Sequence, residues 1–173
     1  MKIFVHNKDI VDVTEADTIV LPVDGSAPGL EGNIARRFMQ RVGVEEMHQL
    51  YAPPPYYPFN GDSYWSNVEG FEGTHFTHIC CVGTLSHAPG ADHRSYTRSA
   101  FRNMLEMAGG DLGSKLACPV LTGGARVDFV DAVYLMLSEV DTWKDPQAPS
   151  YLELHIAEKD KERFEKLRDI VPG

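Results

Sequence analysis

Cysteine is scarce in this chain: three among 173 residues, two of them adjacent at Cys80 and Cys81. Three thiols cannot build the paired framework of a small secreted domain, and none stands in a Cys-x-x-Cys pair suited to zinc or redox exchange. Long apolar runs are missing too. None approaches the 18 residues of a membrane-spanning helix, so no membrane partner is expected. The opening Met1-Lys2-Ile3-Phe4-Val5-His6 lacks a signal peptide's apolar stretch and small-residue cleavage site. A cytoplasmic, reducing location is the expectation. Basic charge is also short. Sixteen Lys and Arg face 25 Asp and Glu, a formal net charge of −9, and the basic residues form no block. General nucleic-acid binding rests on clustered Lys and Arg and is not expected.

What is present suits one globular domain over residues 1–173, large enough to bury a core without metal or disulfide. Lys2 to His6 reads as a strand, and Asp17 to Val23 as a buried one rich in β-branched residues. Ile34, Ala35, Phe38, Met39 and Val42 mark an amphipathic helix ending at Gly43. Tyr51 to Asn60 holds four prolines and four aromatics, which predicts an elaborated loop over about 51–72. Strand signals return at Phe76 to Val82, Lys115 to Leu121 and Tyr151 to Ala157. Helical ones cover Ser95 to Met107, Val127 to Val140 and Lys159 to Ile170. Four strand-then-helix units imply a three-layer α/β/α sandwich around a mostly parallel mixed sheet.

Two strand-to-helix junctions carry glycine: Asp24 through Gly32, and Thr122-Gly123-Gly124-Ala125-Arg126. Glycine there lets the backbone approach a ligand, and free amides at a helix start accept an anion. A βα turn also carries glycine simply to turn. His75, His78, Cys80, His87, Asp92 and His93 lack zinc-ligand spacing, so neither a metal nor a cofactor is expected. His87 is instead a candidate polar group at the cleft. Cys80, Cys81 and Cys118 read as buried strand residues.

These stretches resemble the macro domain family, the ADP-ribose-binding α/β module, closest to the terminal ADP-ribose glycohydrolase branch. The resemblance rests on Ile19 to Ser26, on Pro28-Gly29-Leu30-Glu31-Gly32-Asn33-Ile34-Ala35, on Val82-Gly83, on Ala117 to Gly124 and on Leu152 to Ile170. It implies that Asp9 and Ile10 meet the adenine. It further implies that Gly29, Leu30, Gly32, Asn33, Thr122, Gly123, Gly124 and Ala125 hold the pyrophosphate, and that Arg126 adds a phosphate or stacking contact. Asp24 stands where the family often has a functional Asn, and the triple-glycine loop is thinned to Pro28-Gly29-Leu30. The branch's catalytic Lys has no counterpart near Tyr64 to Phe71, while Asp128 lies close to the expected place of its catalytic Asp. The candidate catalytic pair is Asp24 and Glu31. Glu31 would activate water if buried, against the plain alternative of complementing a helix dipole. The implied partner is ADP-ribose or an ADP-ribosylated protein, with or without hydrolysis of the linkage. The alternatives are an ADP-ribose 1″-phosphatase, or a macro-like fold without nucleotide binding that serves protein interaction.

Overall fold

Side-chain alternation along the central strand, β2 (Thr18–Asp24), decides how the layers stack. Val20 packs into one apolar cluster while Ile19, Leu21 and Val23 pack into another. The computed structural model describes residues 1–26, 31–43, 60–143 and 151–172. Around β2 stand β1 (Lys2–His6), β3 (Ser63–Asn67), β4 (His78–Leu85), β5 (Lys115–Pro119) and β6 (Glu153–Ala157). Among the described residues the helices are α1 (Asn33–Val42), α2 (His93–Met107), α3 (Phe129–Thr142) and α4 (Lys161–Ile170), and a short 3₁₀ turn covers Ile10–Asp12.

The sheet runs β1-β6-β5-β2-β4-β3, parallel throughout except for β3, which lies antiparallel on β4 at the edge. One face carries α2, α3 and α4 on Val20, Cys80, Val82, Leu116, Cys118, Leu154 and Ile156. The other carries α1 and the 3₁₀ turn on Ile19, Leu21, Ile79, Cys81 and Ala117. A parallel sheet must be covered on both faces, and this one is. The expected three-layer architecture is therefore observed. Burial pushes the thiol of Cys81 up to about 12 and raises Cys80 and Cys118 as well, so all three stay protonated core side chains.

The sequence reading placed Ser63–Asn67 within the loop expected over about 51–72; the structure corrects this and makes it the antiparallel edge strand. The proline- and aromatic-rich stretch at 51–59, with Tyr51, Tyr56, Tyr57 and Phe59, lies outside the described residues. Two polar devices brace the layers. Glu139 of α3, nearly buried, takes Arg98 at 3.1 Å and Arg102 at 2.8 Å from α2. At the β1–β6 edge, His6 Nε2 lies 2.9 Å from His155 Nδ1, and His155 Nε2 lies 3.0 Å from Glu153. The buried His155 ring also stacks on Phe4 at 4.9 Å.

That chain is acid-sensitive, and the direction follows from two lowered pKa values. Burial, then His155, depresses His6 below its ordinary 6.5. The hydrogen bond from His155 holds Glu153 below 4.5. Lys2, Lys8, Glu15 and Lys115 are the other charges that act on the pair. A group with a depressed folded pKa stabilises the fold above its ordinary value, and that contribution is lost as pH falls through the folded value. The melting temperature should therefore drop as pH falls below 6.5, and His6→Gln should flatten the first part of that slope. A variant with an unaltered pH slope in differential scanning calorimetry would contradict this.

Candidate functional site

The neighbours β2 and β5 pair over only two residue couples, Thr18↔Leu116 and Ile19↔Ala117. Just beyond, Pro22 and Pro119 lack the N–H that would extend the ladder, and the strands part. From β2 the chain leaves toward α1 on one face; from β5 it leaves toward α3 on the other. Such a switch point opens a crevice beyond the carboxyl ends of parallel strands. A cleft of about 1050 Å³ occupies it.

Two sets of amides face this cleft. α2, α3 and α4 are each capped by an aspartate, Asp92, Asp128 and Asp160 respectively. α1 begins behind Gly32 with no side-chain cap, although Gly32 and Asn33 line the cleft. Gly32 has to be glycine, since a Cβ there would stand 2.5 Å from the Pro22 carbonyl oxygen. Across the crevice, Gly123, Gly124 and Ala125 all have positive φ, 58°, 65° and 68°. Gly123 packs its α-carbon against β4, where a Cβ would meet the Thr84 carbonyl oxygen at 2.9 Å. Ala125 N–H donates to Thr122 Oγ1 at 3.3 Å and Val127 N–H to the Thr122 carbonyl at 2.9 Å. The Gly123 and Gly124 amides find no acceptor among the described residues.

Asp24 ends β2 at a register shift that sets it against Leu85 of β4 rather than Thr84. A bulge of this kind re-aims side chains. The Asp24 carboxylate is buried, 3% exposed, and accepts from Ser26 N–H at 2.8 Å and Ser26 O–H at 2.6 Å. Its other oxygen lies 3.3 Å from His87 Nε2. Thr84, the extra residue at the shift, lines the cleft with its hydroxyl unpartnered among the described residues. Charge around the cleft departs from the whole-chain balance. Lys8, Arg36, Arg37, Lys159 and Arg163 outnumber Asp9, Asp24, Glu31 and Glu158 along its walls.

No protein-family model and no curated protein sequence matches the chain. Solved structures do. The Trypanosoma brucei macrodomain in complex with ADP-ribose superposes with a TM-score of 0.75 at 12% identity, over 98% of this chain and 69% of that one. The Oceanobacillus iheyensis macrodomain with ADP gives 0.72 at 16%, over 95% and 87%. The macrodomain of Mycobacterium tuberculosis DarG gives 0.65 at 18%, over 90% and 96%. This chain has the macrodomain fold.

On that macrodomain frame, Asp9, Ile10, Asp24, Glu31, Gly32, Asn33, Thr122, Gly123 and Gly124 all line one cleft. Gly29 and Leu30, with Pro28, lie outside the described residues. Ala125 and Arg126, both exposed, are not among the residues that line the cleft. Arg126 donates to the Gly124 carbonyl at 3.1 Å and reaches His87 Nδ1 at 3.4 Å, not Asp128 or Asp131. Glu31 precedes α1 rather than opening it, and its exposed carboxylate pairs with Arg36 at 3.3 Å. The burial that a general base at Glu31 would need is absent. Asp9 caps the 3₁₀ turn through Val11 N–H and ion-pairs with Arg37. The cleft cations escaped the sequence reading because they come from four separate stretches of chain.

Proposed function

We propose that the cleft binds ADP-ribose, free or attached to a protein, with the diphosphate between the Gly123–Gly124 amides and the start of α1. The observation that carries this reading is the pair of unsatisfied amide sets facing each other across the β2–β5 crevice. A helix N-terminus contributes up to about half a positive charge, and such amides are donors without a counter-charge. Lys159 and Arg163, which form no ion pair among the described residues, add positive charge at the cleft wall despite the net −9. Likeness to macrodomains solved with ADP and ADP-ribose supports the same ligand class.

On this reading the adenine meets Asp9 and Ile10, which line the cleft just after β1. Calorimetric titration with ADP-ribose, ADP, AMP and NAD tests the reading. ADP-ribose should bind tightest and AMP, with one phosphate, weakest. Asp9→Ala should cost about 1.5–3 kcal/mol of affinity, the scale of a hydrogen bond to a charged group. Asp9 also anchors Arg37, so the melting temperature is followed in parallel. Affinity equal to wild type would remove Asp9 from the site, and no heat with ADP-ribose would remove the reading itself.

A further inference from the structure

His87 faces the cleft from the loop after β4, with its side chain 64% exposed, and it is the ring on which three loops converge. The Arg126 contact fixes its tautomer. The Arg126 guanidinium is a donor only, so His87 Nδ1, 3.4 Å from it, must present a lone pair. Nε2 then carries the hydrogen, and the buried Asp24 carboxylate lies 3.3 Å from it at ion-pair distance. Ser26 completes the support. Its hydroxyl accepts from His87 N–H at 3.2 Å and donates to Asp24. An imidazole with a buried carboxylate beside one nitrogen and a lone pair on the other is suited to accept a proton. The Arg126 contact is long and made by an exposed side chain, in the donor position that a water O–H would take.

Strand order says which part of a ligand lies there. With adenine at Asp9 beside β1 and the diphosphate between β5 and β2, the second sugar extends toward β4, where His87 stands. We propose that His87 is the general base of the cleft, with Asp24 as its positioning residue. This rests on the binding reading above. Water oxygen bonds to the anomeric carbon as the bond to the leaving oxygen breaks, and the electron pair departs with that oxygen. The water proton passes to Nδ1 and then to solvent, while Asp24 stabilises the imidazolium. The charged groups facing the ring are Asp24 from β2 and Arg126 from the β5–α3 loop.

Among the described residues no second acid stands beside the ring, so the suitable probe is a peptide carrying ADP-ribose esterified to glutamate, whose carboxylate leaves without a proton. Release of ADP-ribose is followed from about pH 5 to 8, where imidazole changes charge. Wild type should show an acid limb. His87→Gln should lower kcat about 10²–10⁴-fold and lose that limb, the size of a general-base contribution. Its ADP-ribose affinity by calorimetry should stay near wild type. Asp24→Asn should lower kcat while leaving KM in place. A His87→Gln enzyme with wild-type kcat and profile overturns the proposal. So does a wild type that binds ADP-ribose but releases none, although the nucleotide reading then survives. A wild type that does not bind ADP-ribose fails at the reading beneath both.

Discussion

Gly123→Val should weaken ADP-ribose binding about a hundredfold or more on the binding mode proposed here. Its φ of 58° lies in the left-handed region, which costs a β-branched residue roughly 1–2 kcal/mol. The new Cβ would also stand 2.9 Å from the Thr84 carbonyl oxygen, which belongs to β4 and has little room to withdraw. The loop must then move as a unit, because Gly124 and Ala125 continue the same left-handed path. Both the Gly123 and Gly124 amides would leave the crevice. Hydrogen bonds to a charged group are worth about 1.5–3 kcal/mol each, so losing two gives at least that hundredfold. Gly90→Val is the matched control. Its φ is 73°, but nothing stands within 4 Å of its Cβ position, so the same backbone penalty comes without a displaced phosphate loop. Calorimetry on both variants separates loop position from general strain. Equal affinities would mean the Gly123 turn does not hold the ligand.

The layers were legible because burial leaves a periodic mark. Val20 and Val82 against Ile19, Leu21 and Cys81 give the buried-strand pattern, and four of the strands, β2, β4, β5 and β6, led to a helix. The glycine junctions were legible for a related reason, since backbone that must pass close to other backbone tolerates no Cβ, as Gly32 and Gly123 show. β3 left no such mark. Ser63–Asn67 is an edge strand held mainly by its ladder to β4, so its side chains answer to solvent as much as to core. The cleft's electrostatics were hidden by topology. Lys8 and Lys159 stand 151 positions apart and meet only because β1 and β6 pair. Asp24 and His87 are joined by the register shift between β2 and β4, a one-residue slip that no composition or periodicity announces. Glu31 shows what a motif position leaves open: base work there was conditional on burial, and its carboxylate is exposed beside Arg36.

Phe101→Ala should destabilise the protein by about 3–5 kcal/mol, the range for removing a buried phenylalanine ring. The side chain is fully buried on α2, within the cluster that joins α2, α3 and α4 to Val20, Cys80, Val82 and Leu116. Leu105, Met104 and Met136 of that cluster are equally enclosed, so little can collapse into the cavity. For a chain of this size each kcal/mol moves the melting temperature about 2–4 °C, which places the expected drop at roughly 6–20 °C. Phe38 provides the contrast. It is as deeply buried, but on the opposite face, where it fixes α1 and lies 6.4 Å from Phe76. Phe38→Ala should therefore lose stability and ADP-ribose affinity together, because α1 carries one of the two amide sets. Phe101→Ala, assayed well below its melting point, should bind as wild type does. Urea denaturation paired with calorimetry distinguishes the two layers. A Phe101→Ala protein that loses affinity while still folded would mean that the α2 face also shapes the cleft.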